Sequence, residues 1–204
     1  EPRYFWRPDS ERQFIRHEAL FDRMNFELNN LFDIPLTLKA GRQDINLGDG
    51  WLICEGTPKD GSRTFFFDAI RLSYNLKEFN TTVDLIGIDN HANSSEWIRP
   101  FNDRDVVLAE QDERGLIFYL SSKSPKGTQV DGYFIYKNDH NRNTTSGSEG
   151  NIYTIGTLIK GDLNGRWKYS MQLAPQFGHK NGKELNAFAS NAKLSYHFDD
   201  PEEN

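Results

Sequence analysis

The chain has 204 residues, of which only 36% are hydrophobic, a mean hydropathy of −0.73, and a formal charge of −6 from 30 acidic and 24 basic side chains. An acidic balance argues against a nucleic-acid binder, which carries a basic excess, and no apolar run reaches the roughly 18 residues that a transmembrane helix needs. Disorder is excluded too, because aromatics reach 13%, with 15 Phe, 8 Tyr and 4 Trp, and disordered chains are poor in them.

Residues 1–8, with Tyr4, Phe5 and Trp6, already read as structured sequence. Residues 11–31 are rich in helix formers, and Phe14, Leu20, Phe21 and Met24 could line a helix stripe. The alternation of Met24, Phe26 and Leu28 favours a strand. From there the period is two: Leu36, Leu38, Ala40; Ile70, Leu72, Tyr74, Leu76; Val83, Leu85; Leu116, Phe118, Leu120; Val130, Phe134, Tyr136; Tyr153, Ile155, Ile159; Trp167, Tyr169, Met171, Leu173; and Phe188, Ala192, Leu194, Tyr196, Phe198. Nine segments with one apolar face each are strand signals, with weaker ones near residues 51–55 and at the N-terminus. The connectors are of two kinds. Residues 161–165 and 124–127 suit tight hairpins, whereas 89–114 and 138–151 are long and polar. Short turns alternating with long loops are the rhythm of an antiparallel transmembrane β-barrel. A soluble or surface β-sandwich that binds carbohydrate is the alternative, and it does not need polar loops of that length. We expect one β-barrel domain over residues 1–204, about ten or eleven strands of a longer chain. The sequence opens at Glu1 without Met and shows no signal-peptide pattern, and residues 199–204 read as an acidic turn, so both ends are expected to be cut from a longer protein.

Other chemistry is thinly represented. The only cysteine, Cys54, permits no intrachain disulfide and reads as a small half-buried residue. His17, His91, His140, His179 and His197 lack metal-ligand spacing, and no nucleophile elbow or phosphate-binding loop is present. The acidic pairs at 199–200 and 202–203 single out no glycosidase dyad. No cofactor is implied, and an enzyme on a similar barrel would need a clustered Ser/His/Asp-type constellation, which is not evident. Asn80, Asn93 and Asn143 open formal glycosylation sequons but read as ordinary loop residues. Trp6, Trp51, Trp97 and Trp167 are either interface anchors or stacking platforms for sugar rings. Trp167 shares the outward parity and belongs to a girdle, while Trp51 fits either role.

Residues 36–74 resemble the alginate-export porin family. The resemblance rests on Gly41-Arg42-Gln43 at a strand end, the turn Gly48-Asp49-Gly50, and Phe67-Asp68 with Arg71 opening the next strand, with 159–163 similar as well. It implies an outer-membrane barrel of about eighteen strands whose basic lumen passes an acidic polysaccharide. The expected contacts are then an anionic polysaccharide or oligosaccharide and outer-membrane lipid, with no nucleic acid.

The alternation tests that charge independently. With outward parity fixed by apolar residues, the opposite face carries Arg23, Lys39, Arg71, Lys77, Lys123, Lys137, Lys160, Lys168 and Lys193, against Glu27, Asp84 and Asp131. Cationic rings of this kind select anions. The residues expected to line the pore are Lys39, Arg42, Arg71, Lys123, Lys137, Lys160, Lys168 and Lys193. Asp22, Arg42 and Asp68 fall on the outward parity. A bulge at Gly41 would turn Arg42 inward; Arg42 and Asp68 are otherwise a structural pair fixing one hairpin.

Overall fold

The computed structural model describes residues 21, 23–55, 66–92, 111–123, 127–141 and 148–198. Trp6, Phe14, His17, Leu20, Asp22, Asn93, Trp97, Asn143, the middles of both long loops and residues 199–204 lie outside them. The strands are β1 (Met24–Leu28), β2 (Leu36–Gln43), β3 (Ile45–Asn46), β4 (Cys54–Glu55), β5 (Phe67–Leu76), β6 (Thr81–Asn90), β7 (Asp112–Lys123), β8 (Gln129–His140), β9 (Gly150–Asp162), β10 (Trp167–Lys180) and β11 (Lys183–Tyr196).

Each of the nine alternating segments becomes a strand of one antiparallel sheet, in the order β1-β2-β5-β6-β7-β8-β9-β10-β11, and the short β3 and β4 pair with each other. The fold is therefore all-β, an antiparallel meander of the kind from which outer-membrane barrels are built. The stretch near residue 24 is a strand, not a helix. Connections fall at alternate ends. One end has the short connections 77–80, 124–128 and 163–166; the other has the long connections 44–66, 91–111 and 141–149. The exception at that end is the two-residue Asn181-Gly182 turn, whose positive φ angles of 52° and 73° suit a tight hairpin.

The outward face is apolar and exposed, including Phe26, Ile70, Leu85, Phe118, Ile155, Met171 and Leu194. Aromatics gather at its two ends. Tyr136, Tyr153 and Phe177 stack near the long connections, with ring centroids 5.1 and 5.5 Å apart. Trp167, Tyr196 and Phe198 cluster near the short turns at 4.8 and 4.7 Å. From Phe177 to Trp167 is ten positions of β10, about 33 Å of strand. At the usual barrel tilt that becomes an apolar band about 25 Å tall between two girdles, the height typical of these barrels.

The other face is not uniformly polar. Ile86, Ile117, Tyr119 and Tyr133 form a buried cluster with Ile45 and Leu47 from the segment that follows β2, and Leu52 and Ile53 pack against it. The segment thus lies across the inner face rather than standing off the rim. Its reach shows how strongly the sheet curls. Asp49 hydrogen-bonds Ser170 on β10, six strand spacings from β2 and ten positions along from Lys180, which the ladder sets level with Gln43. On a flat sheet Gln43 and Ser170 would be about 44 Å apart. Six residues of chain plus two side chains reach at most about 29 Å. The contact requires the sheet to curl, so that the segment after β2 meets the inner face of β10.

Candidate functional site

The sequence-predicted cations fall into three groups. Lys39 and Arg71 are cross-strand partners on β2 and β5. Arg71 is committed to Asp84 through Nε and Nη2 at 2.9 and 2.8 Å, and Lys39 lies 4.0 Å from Glu27. Lys137, near the long-connection end of β8, lies between Glu113 at 2.8 Å and Asp139 at 3.1 Å. The third group forms a row. The registers β7–β8, β8–β9, β9–β10 and β10–β11 set Lys123, Gln129, Lys160, Ser170 and Lys193 directly opposite one another in turn. Lys168 stands two positions from Ser170, opposite Asp162. The other two cations of the face lie off its strands: Arg23 precedes β1 and pairs with Asp44, and Lys77 sits in a single turn of 3₁₀ helix.

Arg42 does not turn inward. The β2–β5 ladder runs from Leu36↔Tyr74 to Gln43↔Phe67 without a bulge, because Gly41 takes a φ of +116° while keeping its place in register. Arg42 therefore stays on the parity of Leu38 and Ala40, directly opposite Asp68. Its guanidinium grips that carboxylate twice, at 2.9 and 2.8 Å, donates to the Phe21 carbonyl at 3.0 Å, and lies 3.7 Å from the Phe66 ring centroid. Arg42 is 2% exposed, and its fork is occupied within the fold.

Acids that parity counting overlooked temper the basic excess. Glu113, Asp139 and Asp162 share the inner face with Lys137 and Lys168, and Asp49 comes in on the segment after β2. Lys39, Arg71, Lys137 and Lys160 each have a carboxylate neighbour. Among the described residues, Lys123, Lys168 and Lys193 have none within ion-pair distance, and all three are exposed.

The row is the most distinctive place on this face. A cleft of ≈ 430 Å³ is lined by Asp49, Gln129, Lys160, Lys168, Ser170 and Lys193, among others. Asp49 sits at its wall, accepting from Lys160 Nζ at 2.6 Å and from Ser170 Oγ at 2.5 Å. Beside it the chain passes so close to the sheet that a Cβ on Gly48 would meet the Tyr119 hydroxyl at 2.9 Å and Leu158 at 3.0 Å. Beneath lies a buried polar network: Tyr119 donates to Asp131 at 2.5 Å, Gln129 donates to the same carboxylate at 2.9 Å, and Gln172 donates to the Tyr133 hydroxyl at 2.8 Å. Neither this network nor Asp49 is marked by residue spacing. The available signal was the group Ile45, Leu47, Leu52 and Ile53, too apolar for a solvated connector. Trp51 belongs to that inward segment and is half-buried there. Trp167 takes the girdle position expected of it, and Cys54 is exposed rather than half-buried.

The Lys160 hydrogen bond, then that of Ser170, hold the Asp49 carboxyl below its ordinary value, against the opposing effect of burial. A carboxyl depressed on folding stabilises above its unfolded value of about 4 and loses that contribution as pH falls through the folded value. The tether is therefore closed at neutral pH and opens only in strong acid. A spin label on Cys54, the sole cysteine, should be restrained at pH 7 and become mobile only in acid strong enough to protonate Asp49. The same mobility should appear at pH 7 in Asp49→Asn; a label insensitive to both would show that the carboxylate holds nothing.

Compared with known proteins, residues 12–202 match a family model described as alginate export. No curated protein and no solved structure matches the chain.

Proposed function

The chain belongs to the alginate export family, a family of outer-membrane transport channels, and on that premise we propose that its strands form one arc of a passive, anion-selective pore in the bacterial outer membrane. The solute is an anionic polysaccharide or oligosaccharide, drawn through by inward lysines. The observation that carries this reading is the face of β7–β11, where Lys123, Lys168 and Lys193 are exposed with no carboxylate within ion-pair distance among the described residues, in a chain whose formal charge is −6. In a narrow lumen such cations lower the cost of admitting an anion, and several weak sites let a polymer keep moving.

The exposed outer band supports contact with lipid. Its height of about 25 Å and its two aromatic girdles fit a hydrocarbon core with headgroups on either side. Among the described residues, β1 and β11 each pair along one edge only. Lipid does not tolerate an unpaired strand edge, so further strands of a larger barrel close the ring.

Reversal potentials of the full-length protein in a salt gradient across a planar bilayer test the reading. We expect preference for the anion, falling severalfold in Lys168→Glu/Lys193→Glu with the barrel still folded. Arg71→Glu is a poorer probe, because it strands Asp84. Cation selectivity in the unaltered protein would sink the proposal.

A further inference from the structure

We propose that Asp49 is a specificity-determining residue: its carboxylate stands in the basic row as a built-in stand-in for a solute carboxylate, so that only a solute carrying several linked carboxylates displaces it. This rests on the anion-channel reading above and deepens it by assigning to Asp49 the preference for linked over single carboxylates.

The geometry points there directly. Asp49 occupies the middle lysine of the row, Lys160, and the neighbouring Ser170 hydroxyl. These are the ammonium and hydroxyl donors that a uronate carboxylate would use. The flanking lysines, Lys123 on one side and Lys193 on the other, are each two strands from Lys160, about 10 Å away. Lys168 joins Lys160 and Lys193 in lining the cleft itself. Lys193 also acts on Asp49 electrostatically, so an anion arriving at Lys193 draws away part of what holds Asp49 in place.

Competition then follows from tethering. Asp49 is delivered by a segment anchored through Ile45, Leu47 and Gly48, so Lys160 experiences it at an effective concentration of about millimolar or more. A single uronate must outcompete that local carboxylate unaided. A polyuronate binds first at the free lysines and presents its next carboxylate to Lys160 at a comparable effective concentration, so the exchange is intramolecular on both sides. No bond is made or broken; one carboxylate replaces another on the same two donors, and the segment carrying Asp49 is released from the row.

Binding of monomeric galacturonate and of oligogalacturonate to the full-length protein in detergent tests this, read by calorimetry and by a spin label on Cys54. In the unaltered protein, oligogalacturonate should bind and mobilise the label, whereas the monomer should do neither at millimolar concentration. In Asp49→Asn the monomer should gain about tenfold in affinity, and the preference for the oligomer should shrink by that factor. Lys160→Gln, which removes the contested cation instead, should mobilise the label without that gain. A preference unchanged in Asp49→Asn, or a label that oligogalacturonate leaves restrained, would overturn the displacement inference while leaving the channel reading intact. If no uronate binds any of the three proteins, the inference falls together with the anionic-sugar reading.

Discussion

Arg42→Met should destabilise the protein by about 3–5 kcal/mol, the cost of leaving a buried carboxylate without its counter-ion. The two side chains are 1% and 9% exposed, so water cannot take over from the lost guanidinium. Asp68 would retain only the partners it has elsewhere, while Phe66 and the Phe21 carbonyl would lose a stacking surface and a donor. Arg42→Lys should recover only part of the loss, since an ammonium cannot reproduce the two-pronged grip. Arg42→Met/Asp68→Leu should be much less damaging than either single change, because well-packed apolar residues can replace a buried pair. Urea unfolding in lipid vesicles, followed by tryptophan fluorescence, measures all four. A loss below about 1 kcal/mol in Arg42→Met would mean that the pair behaves as a solvated surface contact.

Gly156→Val should cost about 1–3 kcal/mol or more, because Tyr133 lies flat over that glycine. A Cβ there would stand 2.1 Å from the tyrosine Cζ. The ring cannot simply yield: it stacks on Tyr119 at 5.7 Å with only 5° between planes, and its hydroxyl accepts from Gln172. Moving it would also disturb the platform beneath Ile45 and Leu47. Gly132→Ala is the matched control, since nothing lies within 4 Å of its added Cβ, and it should be close to neutral. Equal losses at the two positions would mean that strand propensity, not the tyrosine lid, sets the cost.

The strands were legible because lipid-side alternation is a strong local signal: Leu116, Phe118 and Leu120 announce β7 without help from any neighbour. The inner surface was harder to read. In Leu85-Ile86-Gly87-Ile88 and Leu116-Ile117-Phe118 both parities are apolar, and the parity rule gives no reason for Ile86 and Ile117. They form the seat for Ile45 and Leu47, a contact between distant parts of the chain that no period encodes. Charge sign fared similarly. Counting inward lysines found the cations, but Lys160 meets Asp49 across 111 positions, so its occupancy could be seen only in three dimensions. For Arg42 the sequence left a bulge at Gly41 and a pair with Asp68 both open, because it shows a glycine without its register; a φ of +116° lets Gly41 stay in line, and the pair forms.

The placement of Asp49 bears on assembly as well as on passage. Neighbouring strands can zip together locally, each hairpin closing a short loop, but Asp49 has nothing to hold until β9 and β10 are in place, 111 and 121 positions later in the chain. Contacts of such separation form slowly and depend on what precedes them. The segment after β2 must therefore wait, unanchored at its tip, while the wall that will receive it is being built. Its docking marks the moment at which the curved wall has come round far enough to be touched from its own first strands, which makes the Asp49–Lys160 contact a timestamp of completed curvature.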